Sequence, residues 1–555
     1  MDVSGLDSIG LDIFGPRCRR VYFGPKTSTR EPEFAYDEQI RSEVMNLDLQ
    51  VCSRARLSRD PRFDGKFYIG VIGSRVYCRP ICPAPTAKEK NCRYFPSAAA
   101  AAEAGFRPCL RCRPESCPGT PAWMGTSSTV SRALRLIDES GLEDGVESLA
   151  ERLGVGSRHL RRLFVRHLGA TPMAVAQTRR LHFAKKLIDE TQLPMREIAL
   201  ASGFGSIRRF NAGIRTVYHR TPTQIRRLAH QKIDHPGHHY RFRLHFRPPY
   251  HWQGMLDFLA ARATPGVESV DGLTYRRTIS ANGCAGYFEV VPERGHDALL
   301  AGIEFPDPQS LFYIVERIRA MFDLNADWSV LVETLGGDPL LATVMRSDPG
   351  LRVPGSWNGF ELAVRAILGQ QVTVKGATSL AGRIASAYGK PFTGPSGLTH
   401  IFPTADVLGK AKLESVGLTG ARAETIRALS RAVAKGDIRF EGVVNSEEFL
   451  RKLCAIPGIG KWTAQYVAMR ALGEPDAFPS SDLGLLKALS LDNAREAEKR
   501  SQPWRPWRAY AAMYLWRKLA HGPVASRELS REVAKNSLFP RIARAGNGAR
   551  EQTHG

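Results

Sequence analysis

The chain has 555 residues, with 78 Lys and Arg against 55 Asp and Glu for a formal net charge of +23, and its 43% hydrophobic content excludes a disordered polyelectrolyte. That length exceeds what one core supports, so three or four domains are expected, and the basic excess favours a polyanionic partner, nucleic acid first, although such a charge also serves solubility. No run approaches the roughly 18 apolar residues of a membrane span, and the opening MDVSGLDSIGLDIFG has no basic start leading into an apolar stretch, so the cytoplasm is the expected compartment and a membrane is not an expected partner.

Residues 1–44 mix acids, Gly and Pro without sustained periodicity and read as a disordered extension. Met45 stands where patterned sequence begins, which makes it a second candidate for the translation start. From Gly65, KFYIGVIGSRVYCRPIC reads as a strand, a Gly-Ser turn and a strand running into cysteines, and SAAAAAEAGF as a short helix ending at Gly105. After Pro118 and Gly119 comes a linker, then about 100 residues of helical periodicity. DHPGHHY, Asp234 to Tyr240, is the next break. Beyond it, YRFRLHF and GCAGYFEVV alternate as strands do, and helical periodicity takes over from about Pro308. From Ser526 the sequence is basic and poorly periodic and reads as a tail. The expected fold class is therefore multidomain α+β. Its parts are an extension at 1–44, a cysteine module at 45–120, an all-α module at 124–233, a β-containing subdomain at 240–306, a helical subdomain at 307–525 and a tail at 526–555.

Eight of the ten cysteines precede residue 118. Cys78 and Cys82 form C-x-x-x-C, and Cys109 and Cys112 form C-x-x-C, which suits one tetrahedral Zn²⁺ held by four sulfurs, with an iron–sulfur cluster as the alternative. No organic cofactor is expected, and Cys18, Cys52, Cys92 and Cys117 fall outside the two pairs. By itself such a zinc would be structural. VYCRPIC followed by AGFRPCLRC, however, resembles the N-terminal domain of the Ada proteins over about residues 50 to 118. The resemblance implies a sacrificial thiolate, Cys78, that takes a methyl group from a DNA phosphotriester. Methylation would remove one negative charge near the DNA backbone and strengthen binding.

VESLAERLGVGSRHLRRLFVRHLG pairs a short helix, a turn at Gly154-Val155-Gly156 and a basic helix; MREIALASGFGSIRRFNAGIRTVYHRTP repeats the pattern with its turn at Gly203-Phe204-Gly205. A single copy is a weak signal. The tandem, joined through LHFAKKLIDE and ending in TPTQIRR, resembles the AraC-type DNA-binding domain. That resemblance makes Arg158, His159, Arg161 and Arg162 in the first unit, and Ser206, Arg208 and Arg209 in the second, the expected contacts to bases and phosphates.

LCAIPGIGKWTAQYVAMRAL reads as two helices joined by P-G-I-G, whose glycines at 458 and 460 let the backbone approach a phosphate. Downstream, FPSSDLGLLKAL starts a helix at Asp482, which alone could be a simple cap. From about Tyr240 to Gly522, segments including FRPPYHWQGMLDFLAARA, GLRVPGSWNGFELAVRAILGQQVTV and PWRPWRAYAAMYLW resemble the AlkA-type 3-methyladenine DNA glycosylases. The resemblance makes Asp482 the catalytic carboxylate, Phe258, Trp462, Tyr466 and Trp516 the base-pocket aromatics, and Gly458, Gly460 and Lys461 clamp positions. Trp504, Trp507 and Tyr510 fall partly at helical spacing, and some of these aromatics must pack the core. Gln370 and Gln371 occupy the segment that inserts into DNA, and Gln371 departs from the family in standing where its wedge is a leucine.

These residue types imply a chemistry. The damaged nucleotide is flipped out, aromatic faces attract a cationic alkylated purine, and a carboxylate stabilises the oxocarbenium-like sugar as water adds. No Lys beyond Lys461 occupies the corresponding Schiff-base position near the hairpin, so the resemblance implies a monofunctional hydrolase. P-C-H-R is absent, so direct repair of O6-alkylguanine is not. The expected function is thus an alkylated-purine glycosylase fused to a zinc methyl sensor and a transcription regulator. Expected partners are double-stranded DNA and RNA polymerase, with the chain a monomer. The competing readings are a regulator whose C-terminal half only binds DNA, and an enzyme whose zinc module is only structural.

Overall fold

The computed structural model describes residues 48–118, 128–140, 145–228, 238–442 and 445–533. The expected extension, Met45, Cys18 and residues 534–555 lie outside them.

The hairpin after Gly65 forms β1 (Tyr68–Val71) and β2 (Val76–Cys78), antiparallel with Ile69 opposite Cys78. β3 (Cys92–Phe95) lies on the other side of β1, and the short β4 (Arg107–Pro108) runs parallel to β2. Because β2 and β4 are neighbours, β2 ending at Cys78 and β4 leading directly into Cys109, two cysteine pairs distant in sequence emerge side by side. Ser97 caps the helix Ala98–Glu103 by accepting the Ala100 N–H, and the buried Ala99, Ala100 and Ala101 pack it closely on the sheet.

The middle of the chain is helical throughout its described residues. Gly145–Arg152 and Ser157–Leu168 form one helix-turn-helix unit, Met195–Ala201 and Ile207–Tyr218 the second, and the helix Pro172–Glu190 joins them. The two second helices bury the same stripe, Leu160, Phe164 and Leu168 in one and Phe210, Ile214 and Tyr218 in the other, a repeat visible at the level of packing. Their cores are not shared with each other. The first unit packs into one cluster with Tyr68, Tyr77, Phe95 and Phe106 of the cysteine module, whereas the second joins Phe242, Leu244, Phe288 and Ile303 of the following sheet.

That sheet is five-stranded and antiparallel, ordered β5-β9-β8-β7-β6: β5 (His239–His245), β6 (Glu268–Asp271), β7 (Thr274–Ala281), β8 (Cys284–Pro292) and β9 (Ala298–Glu304). Alternation in β5 buries Tyr240, Phe242 and Leu244 on one face. The helix Trp252–Ala260 follows β5 and carries Phe258. From Leu311 the chain is almost wholly helical, and the last described helix, Arg508–Val533, runs past Ser526, where a tail was expected. ASRELSREV is made largely of residues that a helix tolerates well, and local propensity outweighs the poor apolar periodicity. No helix among the described residues is long and apolar enough to cross a membrane.

Candidate active site and metal centre

The hairpin expected at P-G-I-G is formed by the helices Ser446–Cys454 and Lys461–Ala471. Ile456 and Ile459 anchor the turn in the core, while Gly458, Gly460 and Lys461 are exposed. Gly458 has φ +88°, and a Cβ there would lie 2.1 Å from Thr425 Oγ1, so only glycine lets the turn close on the helix Gly420–Ala434. Gly460 caps the second helix without a side-chain bond, leaving the first-turn N–H groups for an anion.

Asp482 does cap a helix, Leu483–Leu489, with Oδ1 accepting the Leu485 N–H at 3.0 Å. The cap is not its whole role. Trp516 Nε1 donates to the same oxygen at 2.9 Å, and Trp462 Nε1 donates to Oδ2 at 2.9 Å. Three donors from three helices orient the carboxylate and use three of its roughly four acceptor positions, leaving one on Oδ2 for a reacting group. Gly484 makes room for this meeting: a Cβ there would lie 2.9 Å from Asp482 Oδ1 and 3.3 Å from Trp516 Cδ1. Leu483 beside it is 81% exposed.

Trp462, Tyr466 and Arg470 follow one another at single-turn spacing on the second hairpin helix. The Trp462 and Tyr466 rings stack at 5.5 Å and 9°, and Trp516 leans on Tyr466 at 6.3 Å and 59°. Trp504, Trp507 and Tyr510 are buried core, so of these aromatics of the last helices it is Trp516 that faces the carboxylate. Phe258 is half-buried, with the Arg262 guanidinium 3.8 Å and the Arg470 guanidinium 4.8 Å from its ring centre. Arg470 Nη1 also donates to the Tyr466 hydroxyl at 2.8 Å, and its Nε and Nη2 hold the Pro354 and Gly355 carbonyls at 2.8 and 3.1 Å. Burial opposes ionisation of the Tyr466 phenol, but Arg470 and Arg262 outweigh it and hold its pKa below the ordinary value. Sequence reasoning did not single out Arg262, Arg470 or Gly484. The available signal was spacing, since Arg262 and Arg470 each lie one helical turn beyond an aromatic that was identified.

Gln370 and Gln371 part company. The Gln370 amide donates to Gly458 O at 3.0 Å and Thr463 Oγ1 at 2.9 Å, and Arg422 donates to Gln370 O at 2.7 Å, so its side chain ties this segment to the hairpin. Gln371 is exposed at φ +55°, followed by exposed Val372 and Val374. In the helix-turn-helix units Arg158, His159, Arg161, Arg162, Ser206, Arg208 and Arg209 are all exposed. Arg161 pairs with Glu147 at 2.7 Å, Arg162 bonds His159 at 3.0 Å, and Ser206 caps its helix through the Arg209 N–H.

The four sulfurs of Cys78, Cys82, Cys109 and Cys112 lie within 4.8 Å of one another. A tetrahedral ion with Zn–S near 2.3 Å needs sulfurs about 3.8 Å apart, so this donor set fits zinc after a small contraction. The four thiols hydrogen-bond one another, which lowers the pKa of Cys109 and Cys82 and raises that of Cys78 and Cys112. Cys112 is buried and the other three are partly exposed. Cys52, Cys92 and Cys117 stand outside the cluster, and burial pushes the Cys52 and Cys117 thiols up to about 12.

Three family models match the chain: the metal binding domain of Ada over residues 51–115, a helix-turn-helix domain over 149–228, and the AlkA N-terminal domain over 241–358. The chain is 40% identical over 486 residues to the probable bifunctional transcriptional activator/DNA repair enzyme AlkA of Mycobacterium tuberculosis, spanning 86% of this chain and 98% of that protein. It is 32% identical over 283 residues to DNA-3-methyladenine glycosylase 2 of Escherichia coli, spanning 50% of this chain and 96% of the relative. Over 121 residues, 22% of this chain and 33% of the relative, it is 36% identical to the bifunctional transcriptional activator/DNA repair enzyme Ada of Escherichia coli. The chain therefore belongs to the family of bifunctional transcriptional activator/DNA repair AlkA proteins, in which an Ada-type metal-binding module and a helix-turn-helix regulator precede a DNA glycosylase.

Proposed function

We propose that the Asp482 site hydrolyses the N-glycosidic bond of alkylated purines of the 3-methyladenine and 7-methylguanine type in duplex DNA. The observation that carries this reading is the convergence of two indole N–H donors, from the hairpin helix and from the closing helix, on one carboxylate beside an aromatic wall. The hairpin glycines and Lys461 grip the phosphate backbone, and Gln371 fills the gap left by the flipped nucleotide. The alkylated base enters beside Trp462, Tyr466 and Trp516, with Phe258 and its two arginines beneath. The C1′–N bond breaks with its electrons leaving on the base. Asp482 stabilises the cationic sugar, water adds at C1′, and its proton passes to solvent. No amine takes part, so the abasic strand is left intact. Chromatography of bases released from methylated duplex, with the strand followed on a denaturing gel, tests this: free alkylpurine with an uncut strand is expected, and rapid nicking by pure protein would count against it.

A second activity is favoured by a four-sulfur cluster with three partly exposed thiols, Cys78, Cys82 and Cys109, among which the Ada-type sequence around VYCRPIC points to Cys78. One zinc ion held by Cys78, Cys82, Cys109 and Cys112 would keep the thiolates deprotonated at neutral pH. Cys78 sulfur then attacks the methyl carbon of a DNA methylphosphotriester: the S–C bond forms, the C–O bond breaks, and a phosphodiester anion leaves. Peptide mass mapping should find the methyl group on Cys78 and none on a Cys78→Ser chain. The exposed arginines of Ser157–Leu168 and Ile207–Tyr218 supply promoter contacts, and the chain acts as a monomer in the cytoplasm with RNA polymerase as its protein partner. The modules are those bounded at 45–120, 124–233 and 240–306, with the last beginning at 307 and carrying the helix Arg508–Val533 beyond the expected limit of 525.

A further inference from the structure

The four-cysteine cluster and Asp482 belong to different modules, yet a series of polar contacts joined by short stretches of backbone, buried along most of its length, connects them. It starts at Arg79, between Cys78 and Pro80. The Arg79 N–H donates to Cys112 Sγ at 3.3 Å, and its guanidinium donates to Cys112 O at 3.1 Å and, through Nε, to Asp64 Oδ1 at 2.9 Å. Both side chains of that ion pair are buried. The Asp64 carbonyl accepts from Arg247 Nε at 2.8 Å, and Arg247 is 0% exposed. Arg247 Nη1 donates to Asn325 O at 2.8 Å and Nη2 reaches Pro118 O at 3.5 Å. In the same loop, Asp323 accepts the Tyr510 hydroxyl at 2.8 Å, and Tyr510 lies on the helix that carries Trp516. A parallel strut is the buried pair Lys66–Asp327 at 2.5 Å, with Lys66 also donating to Ser329 at 2.8 Å.

A guanidinium wholly removed from water needs its donors satisfied, and Arg247 is satisfied by main-chain carbonyls on both sides of the interface. Hydrogen bonds are directional, so this joint does not slide as an apolar contact can. When Asp64 shifts, Arg247 either loses an acceptor or follows, and following displaces the Asn325 loop and with it the Asp323–Tyr510 bond. The structure holds the paired arrangement; coupling between the sites would require a second one in which Arg247 has lost an acceptor.

We propose that Arg247 is a positioning residue for base excision, relaying the state of the four-cysteine centre, metal-loaded or metal-free, through the Asn325 loop and the closing helix to Trp516 and Asp482. This rests on Asp482 being the carboxylate of the reaction.

The test uses the full chain with ¹⁵N-labelled tryptophan, reading the Trp516 indole resonance together with single-turnover base release. Arg247→Met should shift the resonance and slow release about tenfold with binding to undamaged duplex unchanged, the size expected of a small misplacement. Chelation of the metal from the wild-type chain should shift the same resonance in the same direction and add nothing in Arg247→Met. A folded Arg247→Met chain with wild-type resonance and rate overturns the proposal, as does a wild-type Trp516 resonance that ignores chelation. Should Arg247→Met not fold, Asp64→Asn decides: it should keep the metal-loaded rate while Trp516 no longer responds to chelation, and a full response overturns the relay. If Trp516 follows the metal but the wild-type chain releases no alkylated base, the excision reading fails and the relay stands.

Discussion

Trp516 donates its indole N–H to Oδ1 of Asp482 at 2.9 Å, on the oxygen that also caps the helix Leu483–Leu489. The carboxylate is thus aimed by the residue proposed to line the base pocket, and ring and donor can be separated by substitution. Trp516→Phe keeps an aromatic face and deletes the donor. A hydrogen bond to a charged group contributes about 1.5–3 kcal/mol, so single-turnover base release should fall roughly 10- to 100-fold with little change in affinity for undamaged DNA. An unchanged rate would mean the indole only packs.

Gly484 is the second handle. Its position inside a helix favours alanine by up to about 1 kcal/mol on propensity, yet the added Cβ would stand 2.9 Å from Asp482 Oδ1. Gly484→Ala should therefore leave thermal stability essentially intact while lowering base release about tenfold, as expected for a small displacement of a reacting group. Thermal melting and turnover of the same preparation separate the two effects.

Asp323 gives a pH signature. Burial pushes its carboxyl pKa up to about 6, partly offset by Arg352 and by the Tyr510 hydroxyl. The folded state then holds its proton more tightly than the unfolded chain, so the stabilisation is fully present below the unfolded value near 4 and is lost as pH rises through about 6. Asp323→Asn keeps an acceptor for Tyr510 and removes the titration. It should exceed the wild type in stability at pH 7.5 by up to roughly 3 kcal/mol, and the gap should narrow between pH 6 and pH 4. Urea denaturation across that range measures it, and a gap independent of pH would contradict the assignment.

The metal centre makes a countable prediction. The purified chain should hold one zinc per molecule by elemental analysis, and Cys112→Ser should lose it. The first helix-turn-helix unit shares a core with the cysteine module, so metal loss should also lower the melting transition of that unit, whereas a separately folded module would leave it unchanged.

How much of this was legible in the sequence depends on how far apart the meeting residues are. Cys78 with Cys82, Cys109 with Cys112, and Trp462 with Tyr466 are local pairs; spacing placed the cysteines, and the family resemblance placed the two aromatics. Asp482 was ambiguous between cap and catalyst because both need a carboxylate at a helix start; the structure shows it capping and also receiving two indoles. Arg262 and Arg470 were not legible as site residues, since their place under Tyr466 and around Phe258 exists only once the helix Trp252–Ala260 packs on the hairpin. Helical periodicity in the middle segment could not say what Leu160, Phe164, Phe210 and Ile214 pack against. Their division between the cysteine module and the five-stranded sheet is set by tertiary packing. Gln370 and Gln371 are adjacent in sequence and opposite in role, a difference fixed by the left-handed backbone at Gln371 and the Gln370 amide bonds to the hairpin.

The most direct measurement of the central claim is single-turnover release of 3-methyladenine and 7-methylguanine from methylated duplex by the wild-type chain and by Asp482→Asn, with affinity for the same duplex measured alongside. Wild-type release, a loss of about 100-fold or more in the variant and undiminished binding are expected of a carboxylate acting on the transition state. Equal release by both chains would remove Asp482 from the reaction, and release by neither would leave the C-terminal half a DNA-binding module.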